Sequence, residues 1–567
     1  MDVTTLPVRF TGARAATGPL TFGQHNTMNW VGQEANEFSA VIHWVLALPD
    51  GVTLADIVAA FEVLMARHEA LRTNFVDGEQ RVRDSGELSI EVHPLADSLT
   101  DDDAVELLVG KLRVGGVDFR SGLPLKVAIG VRDGVPGVGV IVYSHLAVDF
   151  GSMVLIGGQF TTLAADPASR VVGEPGHQPL DQAAIEQSPR GLKAAEAALR
   201  HWETHLRAAP QSLYPMPPSA SPGEGLRTGI LSSPAAGLAL GHISMRTKAS
   251  RQVIVVAAMC AVLSWRTGIP RAVFASVSGN RFRLRLREYV GSLAQDGLMA
   301  LDVAEPTFDE LVARAAKATL TANTTSMFDA TKLWRLIDQV GHERGTAFTR
   351  DFSVNDLSTH FGLTDESAEM STDIADVAGA LPRTEVLWME SAPFPVILIC
   401  NPAQLAPDLM LGLTADLRHV EDAEIESLLR GVEGLLVAAA AENVPLSRLG
   451  EVTRVVPVQR DADWVCVDSC WVRLSSVRQL ITDALHVPAC HVSVGPAGLV
   501  AYVPTNSSPT EAHAACMALL SEPGRHTAMA PGHYVLCAGS PIDVSDEAAW
   551  RAQPVVAEGN GRIKRST

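Results

Sequence analysis

The sequence predicts a mixed α/β (α+β) protein of more than one domain, on three observations. At 567 residues the chain is too long for a single core. Amphipathic helical stretches alternate with β-branched, strand-like runs along most of its length. The composition shifts near residue 455, because five of the seven cysteines (Cys466, Cys470, Cys490, Cys516 and Cys537) lie beyond it.

In chain order, residues 54–71 put Leu54, Ile57, Val58, Phe61, Leu64, Met65 and Leu71 on one 3.6-residue face, which predicts a helix. Arg67, Glu69 and Arg72 cluster at its C-terminal end. Strand-like stretches follow at 89–93 and 125–131. Residues 137–145, led in by Asp133, Gly134 and Pro136, read as a buried strand, and 152–162 read as a helix. His145 and Asp149 therefore stand where a central strand turns into a helix. The polar stretch 165–187 predicts a boundary, with a charged helix over 189–208 and a long loop over 209–229. Alternation resumes from 241 to 450, and residues 421–441 predict a closing helix.

A net charge of −19 opposes nucleic-acid phosphates, so no nucleic-acid partner is expected. No apolar run reaches the roughly 18 residues that span a bilayer, and the first 20 residues lack a signal-peptide core. A cytoplasmic protein with reduced thiols and no membrane partner is the expectation. A zinc site from Cys466, Cys470, Cys490 and His491 is conceivable, but there is no CxxC pair, and buried structural thiols are the reading preferred. Gly-x-Ser-x-Gly, phosphate-binding-loop, His-Glu-x-x-His and complete Gly-x-Gly-x-x-Gly motifs are missing. This removes support from serine hydrolases, nucleotide-binding enzymes and zinc proteases.

A His four positions before an Asp at a strand end is oriented by local hydrogen bonds, and its neutral form takes a proton from an attacking amine or hydroxyl. The Asp is too close in sequence to be assumed a charge-relay partner; an acid in a buried turn more often pairs with an Arg and holds the loop. Taken alone, the pattern recurs by chance, and a structural or surface histidine accounts for it better.

Several segments in order nevertheless resemble the signature blocks of nonribosomal peptide synthetase condensation domains. They are Phe22-Gly23-Gln24, the nine residues Arg67-His68-Glu69-Ala70-Leu71-Arg72-Thr73-Asn74-Phe75, and Val117-Asp118-Phe119 with Gly122-Leu123-Pro124-Leu125. Ser144-His145-Leu146-Ala147-Val148-Asp149-Phe150 lies on the family's His-His-x-x-x-Asp-Gly motif. Gly279-Asn280-Arg281-Phe282-Arg283 with Val290-Gly291, then Val354-Asn355-Asp356 and Pro445-Leu446-Ser447, continue the series. The resemblance covers about residues 1–455. The remainder is more faintly similar to the C-terminal subdomain of adenylation enzymes, through Trp471-Val472-Arg473-Leu474, residues 498–504, residues 530–536 and Asn560-Gly561-Arg562-Ile563-Lys564-Arg565. Arg562 replaces that motif's lysine, so no ATP chemistry is expected and a structural or docking role is.

The resemblance implies two chloramphenicol-acetyltransferase-like lobes in a V shape around a tunnel, at 1–175 and 176–455, followed by a small α+β module at 456–567. It implies an acyltransferase with His145 as the acting base, forming an amide or ester between a carrier-protein thioester and an amine or alcohol acceptor. No cofactor is bound directly; the phosphopantetheine arm belongs to an acyl or peptidyl carrier protein acting in trans. The resemblance also implies that Asp149 is salt-bridged to an arginine of the Arg67…Arg72 block, the alternative for those arginines being a solvated helix end. Asn355 lines the tunnel or is a simple turn residue. Ser144 stands for the family's first His and Phe150 for its Gly, with Gly151 one position later. Those departures carry the alternative expectation of an inactive platform that binds carrier proteins or recruits a partner enzyme.

Overall fold

The computed structural model describes residues 3–33, 41–173, 176–216, 219, 222–304, 306–358, 373–391, 396–496, 498–522 and 524–562. Helix (42 %) and strand (26 %) share the chain, which makes the class mixed. The chain forms two compact units, and both are discontinuous in sequence. One holds Met1–Ala198, Ser278–Gln295 and Ser326–Thr331; the other holds Leu199–Val277, Asp296–Thr325 and Lys332–Thr567. The first unit thus runs past the boundary expected near 175. The polar stretch there contains a capped helix, Pro179–Glu186, rather than a linker.

The first unit is built on a five-stranded sheet in the order Thr4–Thr11, Ser85–Pro94, Leu125–Arg132, Val135–Ser144, Val41–Leu46. Asp133 and Gly134, both at positive φ (49° and 81°), make the tight turn between the third and fourth strands. From Val138 to Ser144 every residue of the fourth strand is buried, as a strand covered on both faces requires. Helix Leu54–Arg67, started by a Thr53–Asp56 capping box, packs against helix Phe150–Ala165. Ile57, Phe61, Leu64 and Phe160 meet Ile90, Val127 and Ile141 in the core between these layers.

The second unit carries a seven-stranded sheet in the order Gln295–Asp302, Arg271–Ser278, Phe352–Val354, Leu398–Gln404, Leu409–Asp416, Leu226–Ser233, Glu385–Ser391. The strand beginning at Leu226 lies inside the stretch expected to be loop. Helices Arg251–Thr267 and Asp422–Ala441 bury their apolar faces in its core. Among the described residues no single helix is long and apolar enough to cross a membrane.

Residues 470–536 gather a core of their own within the second unit, including Val472, Leu480, Ala501, Cys516 and Tyr534. Cys470, Cys490, Cys516 and Cys537 are buried thiols and Cys466 is exposed; burial pushes Cys470 and Cys516 up to about 11 and Cys490 to about 12. Among the described residues no group of three or more His, Cys, Asp or Glu is placed to hold a metal. The C-terminal segment is fastened to the rest of its unit by polar contacts. Gln211 Nε2 donates to His526 O at 2.9 Å, Arg344 Nε to Asp468 at 2.8 Å, and His513 Nε2 to His342 O at 2.9 Å. Arg562 lies against Gly345, so it fills a packing position there. Ile563, Lys564 and Arg565 of the quoted motif lie outside the described residues.

His513 is fully buried, facing the His342 ring edge-on at 4.7 Å, with Arg562 and the Tyr534 hydroxyl also against it. Burial lowers its pKa to about 4, the bond to His342 O opposes this, and the charges of His342 and Arg562 add to it. A histidine held neutral in this way stabilises the fold above its unfolded value near 6.5. That contribution is lost as pH falls through 6.5 towards 4. Urea titrations at pH 7.5 and 4.5 should therefore differ by about 2–3 kcal/mol more in the native chain than in His513→Leu.

Candidate active site

The fourth strand ends at Ser144, and the turn that follows is tied to that residue. Ser144 N–H donates to Pro124 O (2.9 Å), and Ser144 O accepts from Ala147 N (3.0 Å) and Val148 N (3.4 Å). Its hydroxyl accepts from Leu146 N at 3.4 Å, and the residue is buried. Ser144 therefore shapes the turn from inside. Because these three amides are bound to it, they are not the backbone donors a tetrahedral oxyanion would need.

His145 is half-buried on this turn. Its Nδ1 lies 3.0 Å from Val148 O. A carbonyl only accepts, so Nδ1 carries the proton and, in the neutral ring, Nε2 carries the lone pair. The ring is oriented by a carbonyl three residues away, and Asp149 is engaged elsewhere.

Asp149 caps helix Phe150–Ala165 and is almost wholly buried. Its Oδ1 accepts from Ser152 N (2.9 Å) and Arg281 Nη2 (2.6 Å), and its Oδ2 from Arg281 Nη1 (2.8 Å), Leu293 N (3.0 Å) and Ala294 N (3.2 Å). Burial alone would raise its pKa. The Arg281 charge and hydrogen bonds, with the Leu293 and Ser152 amides, outweigh that and hold it at about 2. Ser152 Oγ completes the cluster: it lies 2.9 Å from both Asp149 Oδ1 and Gly291 O and accepts from Arg281 Nη2 and Gly291 N. Arg281 is aimed by Asn280, which stands at φ 55° with its amide donating to Leu293 O.

This corrects the expected pairing of Asp149 with Arg67 or Arg72. Arg67 donates to Gln159 Oε1 (3.0 Å) and to the carbonyls of Val171 (2.8 Å) and Val172 (3.4 Å). Gln159 lies ten positions along the helix from Asp149, about 15 Å away, too far for one guanidinium to serve both. Arg72 is buried and donates to Arg14 O (3.0 Å) and Arg83 O. Glu69, between them, accepts from Arg14 at 2.7 and 3.1 Å. The block braces the scaffold, away from the turn.

Phe150 and Gly151 open the helix after Asp149. Phe150 is not among the residues at positive φ, so its backbone makes no demand for glycine. Its ring packs edge-on to Trp44 at 5.9 Å and against the core. Gly151 is where a small residue is needed: a Cβ there would stand 2.9 Å from the Arg281 guanidinium carbon. Gly151→Ala should displace Arg281 and cost about 1–3 kcal/mol, read as a lower urea midpoint. Asn355 belongs to the second unit. It follows strand Phe352–Val354, is half-buried, and donates its N–H to Cys400 O at 2.9 Å. Sequence reasoning quoted Arg281 within a signature block but missed its partnership with Asp149; Ser152 and the Leu293 and Ala294 amides were missed outright.

No curated protein matches the chain. Among solved structures, the X-domain from teicoplanin biosynthesis is 17 % identical with a TM-score of 0.57, covering 78 % of this chain and 97 % of that one. The same domain in complex with OxyB gives 17 % and 0.56, covering 77 % and 96 %. A structure of condensation domain-mediated chain release from the enacyloxin polyketide synthase gives 18 % and 0.54, covering 80 % and 85 %. At these identities the likeness establishes the fold, which is chloramphenicol-acetyltransferase-like. The condensation domain model matches residues 19–380, well over half of the 567, and spans the whole strand–turn–helix around His145 and the Arg281 that holds it: the chain belongs to the condensation-domain family.

Proposed function

We propose that this chain is a condensation enzyme of nonribosomal peptide-type biosynthesis, joining a carrier-bound acyl or aminoacyl thioester to an amine or alcohol. The observation that carries the reading is the His145 ring. It is half-buried on a braced turn, with Nδ1–H committed to Val148 O, so that the neutral ring carries its basic lone pair on Nε2. As the acceptor nitrogen or oxygen attacks the thioester carbonyl, its proton passes to Nε2. The C–S bond then breaks and the thiolate leaves, taking that proton from the imidazolium, so thioester plus amine gives amide plus thiol. The donor arrives on the phosphopantetheine arm of a partner carrier protein, which supplies the thiol. The Asp149–Arg281 cluster fixes the turn and stays out of the proton transfer.

A recruiting platform without turnover is the second reading, supported by the likeness to a domain solved in complex with OxyB. Against it stands Phe150, whose ring lies on Trp44 and the core. For the segment after 455 we propose a structural role, supported by its polar fastening to the second unit. Incubation with a loaded donor carrier and a panel of amines and alcohols, followed by intact-mass measurement, tests the function. Loss of the acyl mass from the carrier with a matching gain on an acceptor is expected. A carrier that stays loaded throughout supports the platform.

A further inference from the structure

We propose that the arginine-rich segment following Arg281 is the docking surface for a small acidic protein of the carrier type, an inference that rests on the condensation reading above. Residues 282–287 read Phe-Arg-Leu-Arg-Leu-Arg. Phe282 and Leu284 are 62 % and 78 % exposed, and Arg283, Arg285 and Arg287 are exposed with them. Arg190, exposed at the start of helix Pro189–Leu206, adds its charge: burial, then Arg283 and Arg190, lower the pKa of Arg285. Among the described residues none of these four arginines makes an ion pair, although the chain carries a net charge of −19. Four arginines with one exposed acid, Glu288, beside them keep a net positive charge and repel one another, and two large apolar side chains stand between them in water.

The segment is held at both ends, so the surface is preorganised. Arg281 is clamped to Asp149. Leu284–Leu286 form a 3₁₀ turn closed by Leu286 N–H to Arg283 O at 2.8 Å, and buried Leu286 packs with Tyr289 and Leu293. Guanidinium groups alternating with apolar side chains fit a protein face that offers carboxylates around an apolar contact. A nucleic acid or an anionic bilayer presents an extended negative surface, which the rest of this acidic chain would meet and repel. A small acidic domain meets the patch alone. Phe282 directly follows the arginine whose ion pair with Asp149 braces the His145 turn, so the docking segment and that turn share an anchor.

The test uses the full chain and fluorescently labelled holo acyl carrier protein, read by anisotropy. Binding by the wild type is expected, weakened about tenfold or more by R283E/R285E/R287E and by F282A/L284A, and weakened when salt rises from about 50 to about 500 mM. Absence of wild-type binding, or unchanged affinity in the triple variant, overturns the proposal. So does patch-dependent co-sedimentation with phosphatidylserine vesicles, or patch-dependent self-association. Turnover of a soluble pantetheine thioester separates this inference from the chemistry. The triple variant should match the wild type on that donor, and an equal loss on it overturns the docking role. If the wild type turns over neither donor yet binds the carrier through the patch, the condensation reading falls and the docking surface stands.

Discussion

His145→Ala is expected to lower the rate of bond formation by about 10²–10⁴-fold, the range that one positioned proton acceptor contributes. The thermal midpoint should fall by only about 2–4 °C, because the side chain is half-buried and its hydrogen bond to Val148 O is worth about 1 kcal/mol. The loss should appear in kcat, with the KM for the carrier-bound donor nearly unchanged, since the ring acts on the proton in flight. Turnover that survives the substitution removes His145 as the base. A collapse of stability alongside activity would make it a structural residue.

The second large effect is on stability. Arg281→Ala leaves the Asp149 carboxylate buried without its cation and should cost about 3–5 kcal/mol in urea titrations. Asp149→Ala removes the helix cap as well as the ion pair and should cost as much. The double variant should be less destabilised than the sum of the two, which identifies the partners directly. Arg67→Ala is the control: its acceptors are Gln159 and two exposed backbone carbonyls, so it should cost about 1 kcal/mol or less. The same cluster sets an acid limit. Asp149 is lowered from 3.8 to about 2, so its contribution of about 2 kcal/mol is complete above pH 4 and is lost as pH falls through 2.

The site was legible in the sequence wherever its cause was local. The β-branched run into Ser144 and the apolar spacing beyond Asp149 marked the strand and helix that place His145, and the nine-residue block at Arg67 pointed to the family. What escaped was set through space. The partner of Asp149 lies 132 residues away, and nothing near either residue names the other. Arg67 and Arg72 were nearer in sequence and carried the right charge, but Arg67 meets the Phe150–Ala165 helix at Gln159, and Arg72, on the 3₁₀ turn that follows, bonds to Arg14 O and Arg83 O. Phe150 looked disruptive as a letter in a motif. In the fold it is merely the first residue of a helix, with ordinary backbone and an aromatic neighbour. The polar stretch near 175 was opaque for a related reason: Gln182 and Glu186 of the Pro179–Glu186 helix are buried and hydrogen-bonded to each other at 2.7 Å, while its exposed residues are Ala184 and Ile185, so polar composition there does not mark a linker.

The order in which the two units share the chain has a bearing on biogenesis. Residues 278–295 belong to the first unit yet follow the opening strands and helices of the second. On the ribosome, the stretch carrying His145 emerges early, with its carboxylate lacking a cation until Arg281 arrives 132 residues later. An N-terminal fragment ending before residue 278 would hold the imidazole and lack its brace. The amino-terminal unit therefore matures only after translation has passed well into its neighbour.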